Sequence, residues 1–113
     1  MLDFTIVIAT TIRDSLPELL DSINKSSFLP KTVIISIPIR KKFYKYEKNY
    51  LFELIYISEG HGQVSQRISG FKKVITPLCI QMDDDLTFEE TFLEKLINTF
   101  IGLPQNSALA PSL

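Results

Sequence analysis

The chain has 113 residues, which is enough for one domain, and we predict a single domain over residues 1–113. Hydrophobic residues make up 45% of it and charged residues 22%, a composition that supports a packed core and excludes wholesale disorder. The formal net charge is -1, so no overall field favours nucleic acid or an anionic membrane. The single cysteine, Cys79, cannot form an internal disulfide, which excludes a disulfide-stapled secreted scaffold.

The N-terminal residues do not resemble a targeting signal. Asp3 stands where a signal peptide would need a basic residue. The apolar run that follows, Phe4 to Ile8, is far shorter than the roughly 20 residues of a spanning helix, and no later stretch qualifies. We therefore expect a soluble, cytoplasmic protein without a transmembrane segment.

Four short apolar runs rich in β-branched residues predict strands. They cover Thr5 to Ala9, Thr32 to Ile37, Phe52 to Ile57 and Leu78 to Met82. The first, second and fourth are almost continuously apolar, which is typical of strands covered on both faces. The third alternates slightly more, so we expect it at an edge. Residues Ser107 to Ala110 either begin a further strand or fray.

Three amphipathic patterns predict helices between and after these strands. Ser15 with Glu18, and Thr87 with Glu90, form capping boxes for the first and third helices. The apolar stripes are Leu16, Leu19, Leu20 and Ile23; Val64, Ile68, Phe71 and Ile75; and Phe88, Phe92, Leu96, Ile97 and Phe100. The alternation of strands and helices predicts an α/β fold with a mostly parallel sheet and right-handed crossovers.

A basic segment, Arg40 to Lys48, mixes basic residues with three aromatic residues. Such a segment can bind single-stranded nucleic acid. We favour a solvated amphipathic helix, with its rings packed inward and its lysines outward, because a run of charges is usually a solvated face. We therefore expect no nucleic-acid partner.

Three consecutive aspartates, Asp83 to Asp85, directly follow the fourth predicted strand. The carboxyl ends of strands line the ligand crevice of open parallel sheets. Asp83 and Asp85 are two residues apart, so their carboxylates can point the same way and offer two hard oxygen ligands to Mg²⁺ or Mn²⁺. The alternative is a solvated turn in which one aspartate helps to cap the next helix.

Three blocks, in this order, resemble the nucleotide-binding half of a family 2 glycosyltransferase with the GT-A fold. Ile6 to Arg13, followed by Leu19 to Ile23, is similar to the family's opening strand, loop and helix. Gly62 to Gly70 is similar to the family's glycine and its Ala-Arg-Asn-x-Gly. Cys79 to Leu86 looks like the strand that carries the DxD motif. The resemblance implies a Rossmann-like, mostly parallel α/β sheet.

The resemblance also implies a donor and a cofactor. The donor would be a nucleotide-diphosphate sugar, linked to UDP or GDP, held through Mg²⁺ or Mn²⁺. Asp83 and Asp85 would hold the metal, which offsets charge on the diphosphate as it leaves. The residues implied in donor binding are Thr10, Arg13, Ser36, Arg67, Asp83 and Asp84. Arg67 suits phosphate recognition, although a surface arginine is the alternative.

The chain departs from the family pattern at several positions. Ser36 stands where the family has an aspartate that reads the base, so the base is left open. Ile12 and Ile68 replace asparagines, which removes two polar contacts. His61 is either a donor-site group or incidental. Cys79 is expected to be an inert thiol buried in a strand.

In this family the acceptor site and the catalytic base follow the DxD strand. We expect this chain to lack both, so the acceptor is unassigned and transfer would be weak or absent. A second hypothesis is a truncated, non-catalytic module that binds nucleotide sugar or is completed by a partner chain or oligomer, which exposed apolar surface would support. A Mg²⁺-dependent phosphoryl-transfer enzyme is a weaker alternative, because no G-x-x-x-x-G-K-[ST] phosphate loop is present.

Overall fold

A computed structural model of the chain describes residues 3–11, 15–38, 49–60 and 62–101. Its strands are β1 (Phe4–Ala9), β2 (Thr32–Pro38), β3 (Glu53–Gly60) and β4 (Leu78–Asp83), and its helices are α1 (Leu16–Asn24), α2 (Gln63–Phe71) and α3 (Phe92–Ile101). The predictions for Arg13, the basic segment Arg40 to Lys48, His61 and the strand at Ser107 to Ala110 lie outside the described residues.

The four strands form one parallel sheet in the order β3-β2-β1-β4. The chain therefore moves outward from β1 to β3 and then returns to the other side of β1 as β4. The connection that leaves β1 leads to β2 on one side of it, whereas the connection that enters β4 leads to its other side. Open α/β sheets bind ligands at such a switch point, which here lies between β1 and β4. In register, Ala9 of β1 lies opposite Ser36 on one side and Asp83 on the other. The fold confirms the predicted α/β class with a parallel sheet.

The main core lies between one face of the sheet and the helices α1 and α3. Alternate residues of β1 (Phe4, Ile6 and Ile8) pack there with buried side chains of both helices, such as Leu19 and Ile97. This pattern follows from the two-residue period of a strand, which turns every second side chain to the same face. The predicted stripe of α1 is fully buried, as expected.

The opposite face of the sheet is covered by α2. The helix lies close to the sheet at Gly70, where an added Cβ would lie 2.5 Å from Cγ1 of the buried Val7. Only a residue without a side chain allows the helix backbone to come this near. At its start, Gly62 has φ of 90°, a left-handed conformation that glycine adopts without strain.

The apolar stripe predicted for α2 faces solvent, so the expected inward packing is wrong. Val64 is 70% exposed and Ile75, just beyond the helix, is 85% exposed, while Ile68 and Phe71 are about half exposed. The face turned to the sheet carries Gln66 and Gly70 instead, a polar and a small residue that four-residue spacing places together. The period of the apolar residues identified the helix but not the face of the helix that packs against the sheet.

Several further predictions need correction. The strand β4 is not covered on both faces, and Cys79 within it is exposed rather than buried. The Ser15 hydroxyl makes no cap hydrogen bond, and the helix α3 begins at Phe92 rather than near Thr87. By contrast, β3 lies at an edge as predicted. Within the described part of the chain, no helix is long and apolar enough to cross a membrane.

Candidate functional site

The candidate site lies where β1, β2 and β4 end and α2 begins. Its innermost contact joins the residue after β1 to the middle aspartate of the triplet: the Thr10 hydroxyl donates to Oδ2 of Asp84 at 2.5 Å. Both side chains are buried, 3% and 6% exposed. A short bond from a hydroxyl to a carboxylate is among the stronger hydrogen bonds of proteins. It satisfies a carboxylate whose burial would otherwise be costly.

The hydroxyl of Ser15, the residue just before α1, makes a second contact with Asp84. Ser15 donates to the backbone carbonyl of Asp84 at 2.9 Å instead of capping its own helix. The turn that carries the three aspartates is therefore held by both the β1 end and the α1 start. Sequence reasoning missed this role because the two residues are far apart along the chain.

Ser36 is at the end of β2 as predicted, but its hydroxyl is fully buried. It donates to the backbone carbonyl of Gln66 at 2.7 Å. In this arrangement the Ser36 hydroxyl is hydrogen-bonded to α2 and does not face the crevice. A direct contact between Ser36 and a nucleotide base stays a prediction that nothing in the geometry supports.

Gln66 is a site residue that the sequence analysis did not single out. Its Nε2 donates to the carbonyl oxygens of Thr10, at 3.1 Å, and of Ser36, at 2.8 Å. The backbone N–H of Thr10 also donates to Ser36 O at 3.0 Å. A signal existed: Gly70 marks the face of α2 that meets the sheet, and Gln66 lies one turn earlier on that face.

The first aspartate of the triplet faces the start of α2. Nη2 of Arg67 lies 3.3 Å from Oδ1 of Asp83, with side chains 33% and 51% exposed. The Nε of Arg67 is buried and has no hydrogen-bond partner. A half-exposed pair of this kind contributes little to stability, of the order of 0–1 kcal/mol, so both groups can exchange partners at small cost.

Exposure alternates along the triplet: Asp83 and Asp85 are exposed and Asp84 is buried. This alternation leaves the first and third carboxylates accessible at the carboxyl edge of the sheet. Over the described ranges, no three His, Cys, Asp or Glu side chains form a group that could hold a metal. Two hard carboxylates fit Mg²⁺ or Mn²⁺ only if phosphate and water supply the other ligands, which is how Mg²⁺ commonly binds.

A separate groove of about 400 Å³ lies between α1 and the segment before α3. It is lined by Glu18, Asp21, Ser22, Lys25, Thr87, Phe88 and Glu90. Three of these seven residues are acidic and one is basic, so the groove is poorly suited to an anionic nucleotide, although it offers carboxylates to a cation. It serves as a comparison location for the metal experiments below.

The profile of the family described as Glycosyl transferase family 2 matches residues 5–110, nearly the whole chain. The chain belongs to glycosyltransferase family 2. The match confirms the resemblance carried by the three sequence blocks, and the site described above lies within the matched residues. No curated protein matches the chain significantly.

Two solved structures share the fold of this family 2 chain. The crystal structure of Staphylococcus aureus TarS 1-349 superimposes with a TM-score of 0.63 at 19% identity, covering 88% of this chain and 32% of that one. The crystal structure of S. aureus TarS gives a TM-score of 0.62 at 19% identity, covering 88% and 19%. At this identity the likeness shows the fold alone, a GT-A, Rossmann-like sheet. The chain spans about a third of the length of TarS 1-349.

Proposed function

We propose that this chain binds the nucleotide-diphosphate sugar donor of a glycosyltransferase. Asp83 and Asp85 would hold the divalent cation that accompanies the diphosphate. The observation that carries the proposal is the arrangement of the triplet: Asp84 is anchored to Thr10, while its two neighbours are exposed at the switch point beside Arg67. Membership of the family supports a sugar nucleotide over other phosphate ligands.

Each described group has a task in this proposal. When bound, Mg²⁺ or Mn²⁺ would supply Lewis-acid stabilisation of the leaving diphosphate. Arg67 would exchange its contact with Asp83 for a phosphate oxygen, and its unpartnered Nε adds a second donor for a bidentate contact. Thr10 would keep Asp84 turned inward. The base of the donor is left open, since the buried Ser36 hydroxyl is already used.

Transfer to an acceptor also requires a base that removes a proton from the acceptor hydroxyl. Glu89 is one of the glutamates that follow the triplet. Lys95 lowers the pKa of Glu89, first through a hydrogen bond of 3.0 Å and then through the positive charge of the lysine. Glu89 is therefore a poor base. We propose that this chain supplies donor binding and that Glu89 is not the base of the transfer step.

Calorimetric titration with UDP- and GDP-sugars, with and without Mn²⁺, tests donor binding. We expect binding of one of them that depends on Mn²⁺ and is lost when Asp83→Ala and Asp85→Ala are combined. The matched control combines Glu18→Ala with Glu90→Ala, which removes the same charge from the acidic groove and should retain binding. Equal binding by both double variants, or binding without metal, would contradict the proposal.

The exposed stripe of α2 favours a second candidate function, a non-catalytic module that docks on further polypeptide. Val64, Ile68, Phe71 and Ile75 are exposed apolar side chains spaced three or four residues apart, and clustered exposed apolar residues are typical of interaction sites. In this function the donor half would be completed by another chain or by a second copy. The two functions are compatible, because the stripe lies on α2 and just beyond it, whereas the acidic triplet begins at the end of β4.

Size-exclusion chromatography and binding of an apolar fluorescent dye test the second function. We expect self-association or strong dye binding in the wild type, and a clear reduction in the variant with Phe71→Lys and Ile75→Lys, which lie at the far end of α2 and beyond it. A monodisperse monomer that binds no dye would contradict a docking surface. Donor titration of the same variant separates the two functions, since the lysines lie outside the donor site.

A further inference from the structure

Gln66 is a buried side chain whose amide ties two strand ends together. It is 1% exposed, yet it carries a polar group that apolar packing would not need. Both of its bonds go to backbone carbonyls, that of Thr10 just after β1 and that of Ser36 within β2. A primary amide has two N–H donors, so this pair of carbonyls uses its full donor capacity.

The backbone of the same residue fixes the helix against β2. The Ser36 hydroxyl donates to the carbonyl of Gln66, and the backbone N–H of Gln66 donates to Gly62 O at the start of α2. Residue 66 is thus held through its side chain and its main chain at once. Because these contacts are buried, they are shielded from competition with water.

Two groups of the donor site depend on this anchor. Thr10, whose carbonyl accepts from Gln66, donates its hydroxyl to Asp84 and so sets the turn that presents Asp83 and Asp85. Arg67 is the next residue of α2, and its guanidinium reaches Asp83. The buried Gln66 amide therefore supports both the aspartate turn and Arg67.

We propose that Gln66 is a positioning residue for donor binding: its amide fixes the spacing between the aspartate turn and Arg67. The inference rests on the proposed function, since it assigns a role within that site. Gln66 touches no ligand itself. Its effect reaches the diphosphate through Thr10 and Arg67, and pre-organised groups of this kind lower the ordering cost that binding otherwise incurs.

The test replaces Gln66 by Met, which nearly conserves volume and removes both N–H donors. We expect the Kd of the Mn²⁺-dependent donor to rise about tenfold in Gln66→Met, measured well below the unfolding transition. We also expect the backbone amide resonances of Asp83 and Asp84 to shift in the absence of ligand. A merely structural role would lower the unfolding temperature and leave the Kd of the folded protein unchanged.

Ile97→Val is the control, because it weakens the core on the other face of the sheet. Its Kd should stay within about twofold of the wild type, since distant sites act independently. A wild type that binds no nucleotide overturns the proposed function, and this inference with it. Wild-type binding with an equal Kd in Gln66→Met overturns the inference alone.

If Gln66→Met does not fold, hydrogen exchange of the wild type tests the positioning role of Gln66. The side-chain amide protons of Gln66 should exchange more slowly than those of the exposed Asn98, and donor with diamagnetic Mg²⁺ should slow them by about a further tenfold. Exchange at Gln66 that is unchanged by bound donor would overturn the inference.

Discussion

Asp84 is buried between two exposed aspartates, and this difference separates an anchoring carboxylate from two accessible ones. The separation arises from the Thr10 hydroxyl, which reaches Asp84 across the sheet. The sequence predicted that Asp83 and Asp85 at the strand end can point the same way, and both are exposed, while their role as metal ligands stays a prediction. It did not predict that Asp84 is a structural partner, because the bond joins residues 74 positions apart.

Cys79 gives a pH-dependent prediction at the residue scale. Although the residue is exposed, partial burial of its thiol raises its pKa to about 11 from 9.0. The fold thus favours the protonated thiol. Its contribution to stability is fully present below about pH 9 and is lost as the pH rises through about 11.

The difference in free energy of unfolding between wild type and Cys79→Ala isolates this contribution from that of tyrosines and lysines. We expect the difference to be constant up to about pH 9 and then to fall, and the thiol to react slowly with iodoacetamide at neutral pH. A difference that does not change up to pH 11, or alkylation as fast as that of free cysteine, would show that the thiol is not desolvated.

At the scale of elements, the strands were easier to predict than the packing of the helices. The bounds of β1 and β2 agree with the apolar runs to within one residue, because a run covered on both faces is apolar throughout. The helix α2 was predicted with its apolar stripe inward, but close contact between its backbone and the sheet requires Gly70. Tertiary packing overrides the periodic pattern at this position.

The close approach of α2 at Gly70 also determines which long-range partners the neighbouring residue Gln66 can reach. A helix that sits this close to the sheet brings Gln66 within reach of two strand ends, and the resulting contacts hold the site. The Ser15 hydroxyl likewise bonds to Asp84 rather than to its own helix. Such competition between local and long-range partners is not visible in a four-residue motif.

Gly70→Ala is the prediction that belongs to this scale. Overpacking against the buried Val7 costs about 1–3 kcal/mol, whereas alanine regains only about 1 kcal/mol through helix propensity. We expect a net loss of stability in urea unfolding. Combining Gly70→Ala with Val7→Ala should cost less than the sum of the two single changes, because the smaller side chain makes room for the methyl group.

Ser69→Ala, one residue earlier on α2, is the control and should have little effect. Full stability of Gly70→Ala, or strict additivity with Val7→Ala, would mean that the helix does not approach the sheet as closely as described. The double-variant cycle measures the contact itself rather than general sensitivity of the helix.

At the scale of the whole molecule, the features group on one side of the sheet. The candidate site, the exposed stripe of α2 and the exposed Cys79 of β4 lie on the side of the sheet that α2 covers, and β4 is an edge strand among the described strands. The opposite side is a closed core formed by α1 and α3. Among the described residues, the exposed groups therefore lie on one side of the sheet and the closed core on the other.

The most direct test of the central claim is to locate bound Mn²⁺ by paramagnetic broadening in the NMR spectrum of the labelled chain. With UDP present, we predict that amide resonances of Thr10 and of Asp83 to Leu86 broaden first, at substoichiometric metal. Broadening that begins around Asp21 and Glu90 would place the metal in the acidic groove. That result, or uniform broadening, would contradict a donor site at the aspartate triplet.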